Sequence, residues 1–371
     1  MKKTFKYCIK ANKTVIQNTE NWLGLCRKLY NNCLEEKINV YKEQGKSISC
    51  YTQMKKLPSL KKELAEYKKV NSQTLQDVIQ RLDRACQNFF RGVKRGEKRG
   101  FPRFKGRDRY DSFTLKQTGY SLRGRYLFIK NIGRFKIFLS RPIEGDIKTV
   151  TVHRSSSGKW FASFSCDNVS TQPLPETGRS IGIDVGCEHF LTASNGEKVD
   201  NPRFYQRAQS LLAQRQKRLS RKKKGSNRRN KMRILVAKAY EKVFNQRRDF
   251  HFKVAYKLLK ANDIICIEDM NHFNSFRVLN RSMRDVAWFD FFNILAFKAA
   301  EAGKQVIKVP AENTSQVCSN CGRIVPKTLS DRVHRCPYCS LVLDRDINAA
   351  RNILRLGQSL QGAASLEAAV N

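Results

Sequence analysis

The chain has 371 residues, 40% of them hydrophobic, with 72 lysines and arginines against 32 aspartates and glutamates, a formal charge of +40. This apolar content excludes a disordered chain and suffices for two or three domains, while so large a charge repels itself unless a polyanion neutralises it, so nucleic acid is the expected partner. No run of eighteen apolar residues occurs, and Met1-Lys2-Lys3-Thr4-Phe5 lacks the apolar core of a signal peptide, which argues against a membrane and predicts a soluble, cytoplasmic protein.

A short strand is expected at Phe5 to Ile9. Trp22, Cys26, Leu29, Cys33 and Leu34 then recur at helical spacing, and Leu75, Val78, Ile79, Leu82, Cys86, Phe89 and Phe90 repeat the pattern, so the first hundred residues predict a small helical bundle. From Arg91 to Arg109 the periodicity breaks into a basic loop interleaved with aromatics, Gly100-Phe101-Pro102-Arg103-Phe104-Lys105-Gly106-Arg107. Short β-rich runs follow (Tyr126 to Ile129, Phe135 to Leu139, Ile147 to Val152, Trp160 to Phe164), separated by turn clusters, which predicts an all-β barrel or sandwich. The proline-bearing stretch from Thr171 to Gly178 reads as a linker and as the main domain boundary.

Beyond it, Ile181 to Asp184 and Phe190 to Ala193 predict strands joined by a tight turn, followed by a long basic helical region from Pro202 to Lys260. Ile264 to Glu268 is a buried-type strand, Val286 to Ala300 an apolar helix and Val306 to Val309 another strand. This order fits an RNase-H-like α/β sheet better than a doubly wound one. After Leu356 the tail has little to bury, and disorder is expected there.

Eight of the twelve cysteines are scattered singly within apolar stretches and read as small buried hydrophobes. The other four form two CxxC knuckles, Cys318-Ser319-Asn320-Cys321 and Cys336-Pro337-Tyr338-Cys339, fourteen residues apart. Two thiolates per knuckle can share one tetrahedral Zn²⁺, with Gly322 supplying backbone freedom after the first. Four protein ligands leave no position for water, so this zinc is expected to be structural. His334 reads as a bystander.

Three acidic positions are harder to explain by solvation. Asp184 ends an apolar strand, Glu268 ends another, and Asp346 opens a helix through Leu354. Strand-end carboxylates can converge at one sheet edge and share two Mg²⁺ ions, yet each alone could be a turn or capping residue. The choices within Glu268-Asp269 and Asp344-Arg345-Asp346 stay open at this level.

Taken in order, these residues resemble the transposon-encoded RNA-guided nucleases of the TnpB family, relatives of type V CRISPR effectors. Gly182-Ile183-Asp184-Val185-Gly186, Ile267-Glu268-Asp269-Met270 and Asp344-Arg345-Asp346-Ile347-Asn348-Ala349-Ala350-Arg351-Asn352-Ile353 are similar to the three RuvC-like motifs. Thr314-Ser315-Gln316 before the first knuckle resembles the family's zinc-ribbon entry, and Gly100-Phe101-Pro102-Arg103-Phe104 its basic loop.

The resemblance implies a multidomain α/β protein. A wedge-like β-barrel takes residues 1–10 and 96–172, with a helical recognition lobe at 11–95 between them. A linker at 173–179 leads to a RuvC-like nuclease in two parts, 180–312 and 341–356, with the zinc ribbon at 313–340 and a tail at 357–371. It implies Asp184, Glu268 and Asp346 as ligands of two catalytic Mg²⁺ ions, for which Mn²⁺ can substitute, and one structural Zn²⁺ at Cys318, Cys321, Cys336 and Cys339. It implies a guide RNA from a transposon end and a double-stranded DNA target beside a short flanking motif; the oligomeric state stays open, with a monomer favoured. Two departures stand out: Ser340, where the family usually has glycine, and Cys187-Glu188-His189, where apolar residues are commoner.

Arg215 to Arg233 holds eleven cations and no acid, and since it lies between two of the carboxylates, phosphate contact is expected at Arg215, Lys217, Arg218, Arg221, Lys222, Lys223, Lys224, Arg228 and Arg229. In the basic loop Arg103, Lys105 and Arg107 are expected on phosphates, with Phe101 and Phe104 anchoring the loop. Four functions fit these features: a guided endonuclease, a nuclease-inactive RNA-guided repressor, a transposase using the acidic triad for strand transfer, and a zinc-ribbon DNA-binding module without chemistry.

Overall fold

The computed structural model describes residues 1–107, 109–269, 285–328 and 331–370, with side chains as far as residue 361. The chain divides into two compact units, Met1–Ser170 and Thr171–Asn371.

In the first unit β1 (Lys3–Lys10) leads into α1 (Lys13–Gln44), which starts where the Asn12 side chain accepts the Val15 N–H and stops at Gly45, a residue in the left-handed region at φ 66°. Three short helical turns, α2 (Cys50–Lys55), α3 (Leu57–Glu63) and a 3₁₀ turn (Ala65–Lys69), precede α4 (Ser72–Lys94). The predicted apolar stripes of α1 and α4 are buried through Leu34 and Cys86, but the α4 stripe ends there: Phe90 is exposed. Six strands follow: β2 (Ser112–Leu115), β3 (Tyr120–Arg123), β4 (Tyr126–Ile129), β5 (Gly133–Ile137), β6 (Asp146–Arg154) and β7 (Trp160–Asp167). They join β1 in one antiparallel sheet of order β2-β6-β7-β1-β5-β4-β3. Period-two burial along β7 turns Trp160, Ala162, Phe164 and Cys166 into a core shared with the helices.

The second unit holds a five-stranded sheet of order β10-β9-β8-β11-β12, built from β8 (Ser180–Asp184), β9 (His189–Ala193), β10 (Lys198–Asp200), β11 (Ile264–Glu268) and β12 (Gln305–Val309). Strands β8, β11 and β12 are parallel, while β9 pairs antiparallel with both β8 and β10. The basic region between β10 and β11 is a helical hairpin, α5 (Phe204–Ser220) and α6 (Asn227–Ala261), and α7 (Trp288–Ala302) precedes β12. A two-stranded ribbon, β13 (Val333–Arg335) with β14 (Val342–Asp344), comes before the closing helix α8 (Arg345–Val370).

That helix corrects the expectation of a disordered tail: its backbone continues through residue 357 to Val370 instead of stopping at Leu356. As far as residue 357 it is held by close packing at two glycines. A Cβ on Gly182 of β8 would lie 2.2 Å from the Ala350 carbonyl oxygen, and one on Gly357 would lie 2.2 Å from Cys266 Sγ of β11. The helix therefore meets the β8 backbone directly at Gly182, and at Gly357 it leaves room for the Cys266 side chain of β11.

The linker is also less loose than its composition suggests. Gln172 and Leu174 donate backbone N–H groups to Glu301 and Ala302, and the Asp263 carboxylate accepts from Thr177 and Gly178 and meets the buried Lys304 ammonium, which also bonds the Pro175 carbonyl. Residues 172–178 are thus fastened to the second unit. Among the described residues no helix is long and apolar enough to cross a membrane.

Candidate metal centre and acidic edge

The four clustered cysteines meet. Cys318 Sγ lies 3.6 Å from Cys339 Sγ, Cys321 Sγ lies 3.6 Å from Cys336 Sγ, and all four sulfurs fall within 4.8 Å of one another. A disulfide would bring two sulfurs to about 2.05 Å, whereas four thiolates around one Zn²⁺ at about 2.3 Å stand roughly 3.8 Å apart. The spacing fits a tetrahedral zinc site. The Leu341 N–H and the Asn320 side chain help hold the Cys339 thiol low, at about 6. His334 is buried on β13 but is not one of the four donors. Gly322 takes φ 76°, as its place after the first knuckle suggests, but Ser340 also sits left-handed at φ 58°, where its side chain is a liability.

The three carboxylates come from different elements of the second unit. Asp184 and Glu268 end the adjacent parallel strands β8 and β11, paired in register through Ile183 and Ile267. Asp346 stands in the first turn of α8, whose backbone rests on β8. Burial holds the Asp184 carboxyl well above the usual carboxylate range, and the charges of Glu268 and then Asp346 push it further, against Arg345. Burial likewise raises Glu268, opposed by a hydrogen bond from the Thr314 hydroxyl to its Oε1. Three partly buried carboxylates, with the Arg345 cation beside them, form a hard oxygen donor set rich in negative charge, which suits a divalent cation of the Mg²⁺ type.

The structure separates these acids from their neighbours. Asp344 Oδ1 accepts the Asp346 and Ile347 N–H groups at 2.9 and 3.2 Å, capping α8, and its Oδ2 meets Lys198 Nζ at 2.6 Å. Asp269 turns toward Lys308 at 3.8 Å. Sequence reading misses Asp344 as a cap, Arg345, which lies 3.4 Å from Asp346, and the polar trio Thr314, Asn348 and Asn352 beside the first knuckle. The unusual Cys187-Glu188-His189 pins its hairpin. Cys187 accepts from Asn201, Glu188 pairs with Arg332 at 3.5 Å and His189 meets Asp200 at 3.1 Å. A separate cavity of about 750 Å³, lined by Leu191, Lys198, Phe250 and Lys257 among others, contains none of the three carboxylates. They lie outside it, and a polymer needs no enclosed pocket.

Of the predicted phosphate contacts, Lys217, Arg218, Arg221, Lys222, Lys223, Lys224 and Arg228 are exposed on the α5–α6 hairpin. Arg215 and Arg229 have donors engaged within it, on the Leu235 carbonyl and on those of Leu219 and Lys222. In the first unit Arg103 and Arg107 are exposed, and Lys105 is half-buried. The anchoring expected of two phenylalanines falls largely to a backbone clamp, because Asn31 accepts the Lys105 N–H at 2.8 Å and donates to its carbonyl at 3.1 Å. Phe101 does pack edge-on against Phe89, yet it remains 40% exposed, and Phe104 is 54% exposed.

Comparison with known proteins adds three kinds of match. Residues 163–279 match the family described as "Probable transposase", residues 288–353 the "Cas12f1-like, TNB domain", and residues 1–46 a "Helix-turn-helix domain". The last region is a strand and one uninterrupted helix here, so these residues do not form a two-helix DNA-reading motif. A Streptomyces pristinaespiralis protein described as "Putative RNA-guided DNA endonuclease" is 33% identical, over 96% of this chain and 90% of its own. InsQ of Escherichia coli K12, with the same description, is 30% identical over 96% and 92%. A solved Cas12f1–sgRNA–target DNA complex superposes with a TM-score of 0.59 at 16% identity, covering 92% of this chain and 82% of that one, which extends the likeness to the fold.

Proposed function

Because the chain belongs to the TnpB family, the transposon-associated relatives of type V CRISPR effectors, we propose that it is an RNA-guided, Mg²⁺-dependent DNA endonuclease whose cleavage site is the edge formed by Asp184, Glu268 and Asp346. The observation that carries this reading is that β8, β11 and α8 bring Asp184, Glu268 and Asp346 to one edge, where burial and then the charges of Glu268 and Asp346 raise the Asp184 carboxyl. The strand order, with β9 alone reversed, supports a RuvC-like nuclease of residues 180–312 and 341–356 interrupted by the ribbon at 313–340. In the first unit, β1 pairs between β7 and β5, which supports a wedge built from residues 1–10 and 96–172 around a helical lobe at 11–95.

Two Mg²⁺ ions held by the three carboxylates would activate water on one side of a phosphodiester and stabilise the leaving oxygen on the other. The chain's own groups prepare that site. Arg345 and Thr314 restrain Asp346 and Glu268, and the Asp344 cap fixes the helix that carries Asp346. The exposed cations of the α5–α6 hairpin, with Arg103, Lys105 and Arg107 in the first unit, hold nucleic-acid backbone without reading sequence. Base pairing with a transposon-end guide RNA supplies sequence choice, and the protein reads only a short motif beside the target. Zinc at the four cysteines has no open position and serves structure.

The test begins with the RNA that copurifies with the protein. Sequencing should find one discrete species, and with that RNA reprogrammed to a DNA target, cutting should require both guide and Mg²⁺. Bulk cellular RNA alone, or target binding with no cleavage in any divalent cation, would overturn the reading in favour of a passive binder.

A further inference from the structure

We propose that Thr314 is a positioning residue for Glu268, and that it ties the orientation of this carboxylate to the zinc knuckle. The inference rests on the reading of Asp184, Glu268 and Asp346 as cation ligands. Thr314 is 4% exposed, and its hydroxyl donates to Glu268 Oε1. A carboxylate on a strand end can swing about its terminal torsion, and one fixed oxygen removes that freedom while leaving the other for a cation.

Thr314 is itself held from the far side. Its carbonyl accepts Asn352 Nδ2 at 2.9 Å, and the same amide reaches the Val317 carbonyl at 2.6 Å. One turn earlier on α8, Asn348 donates to Val317 at 2.8 Å and accepts the Ser319 N–H at 2.9 Å. Both asparagines are buried, and Val317 and Ser319 flank the zinc ligand Cys318. A polar path thus runs from the first knuckle through two asparagines to Thr314 and on to Glu268. The helix that supplies those asparagines also supplies Asp346, so the second and third carboxylates share one support. Thr314, Asn348 and Asn352 are buried donors with named acceptors, so breaking one of their links leaves a desolvated group unpaired.

The experiment compares Thr314→Val, which keeps shape and loses the hydroxyl, with Thr314→Ser, which keeps the hydroxyl. Both are made in the full chain with its copurified RNA, and Asp184→Ala is run beside them. The readouts are Mn²⁺ binding by electron paramagnetic resonance, zinc content, and cleavage rate against Mg²⁺ concentration. Loss of an outer hydrogen bond to a metal ligand typically costs about 10–100-fold in metal affinity. Thr314→Val should therefore keep its zinc, bind Mn²⁺ at least about tenfold more weakly and need correspondingly more Mg²⁺, whereas Thr314→Ser should bind nearly as the parent does. Equal Mn²⁺ affinity in Thr314→Val and the parent overturns the positioning role, as does a serine variant no better than valine with zinc intact. Should the valine variant lose zinc, Thr314→Ala replaces it against Thr314→Ser, and the same two results overturn the role. Failure of the underlying reading has a different signature, Asp184→Ala binding Mn²⁺ as well as the parent does.

Discussion

The second unit contains two sets of candidate metal ligands, and their donor atoms are held at different spacings. Four sulfurs lie within 4.8 Å of one another, and among the described residues they are the one such set drawn that close. The three carboxylates are brought to one edge by two strands and a helix but are not gathered so tightly, and Asp184 is pushed toward its protonated form. The contrast is chemical. A thiol can be neutral and pack beside another thiol, so backbone turns alone can close a knuckle, whereas ionised carboxylates repel and keep room between them. On the reading proposed above, one set would be filled permanently and the other would take ions loosely and release them.

The largest expected effect breaks the tight set. Cys318→Ser or Cys336→Ser should drop zinc from one per chain to none, because a structural zinc in a small site contributes on the order of 10 kcal/mol to folding. Guided cleavage should fall with it, since Asn348 and Asn352 hold the first knuckle from the helix that bears Asp346. Metal analysis of the purified variants reads this directly, and no zinc in the parent protein would refute the premise.

Breaking the loose set should have the opposite sign in stability. Asp184→Asn removes a carboxylate that burial and its neighbours already disfavour, so the metal-free protein should melt higher while guided cleavage falls by about 10³-fold or more. Target binding should stay near the parent level. A variant that melts lower, or that loses binding along with cleavage, would return Asp184 to a structural role.

Acid provides a third separation, through a group that belongs to neither set. His251 on α6 is 1% exposed, packs between Phe190 and Phe291, and bonds the Val286 carbonyl at 3.0 Å. Burial lowers it from 6.5 to about 4, so the unfolded chain takes the proton first as pH falls. Its stabilising contribution is complete above about pH 6.5 and is lost on the way down to about pH 4, at most about 3 kcal/mol. Denaturant unfolding at pH 7 and pH 4.5 should show this loss, and His251→Gln should show less of it. The smallest effect tightens the zinc set further. Ser340→Gly should relieve about 1 kcal/mol of left-handed strain and raise zinc retention against a chelator about fivefold, a gain that a merely tolerated serine would not give.

How much of the molecule is legible in the chain depends on whether the signal is local. Strand-end acids and CxxC spacing are local, and the structure has Asp184 and Glu268 at strand ends and the four sulfurs together. The choice between Asp344 and Asp346 is not legible from pattern, because it turns on a cap and on Lys198, 146 residues away. Phe104 misleads for the same reason: nothing near it in sequence says that Asn31 has already clamped the loop. The short strands β10, β13 and β14 carry too few residues for alternation to appear. The start of the tail misleads because Gly357 looks uncommitted until Cys266 of β11 is placed against it.

The backbone contact between Gly182 and Ala350 has a consequence in time. Asp184 leaves the ribosome early, but its third companion travels on a helix that can dock only against strands already made. At about 5–20 residues per second, the roughly 160 residues from Asp184 to Asp346 take on the order of ten to thirty seconds to synthesise. Throughout that interval the nascent chain carries basic surface able to gather nucleic acid and an incomplete acidic edge. If the chain cuts as proposed, binding becomes available before cutting does, and the order of elements along the chain delays the nuclease.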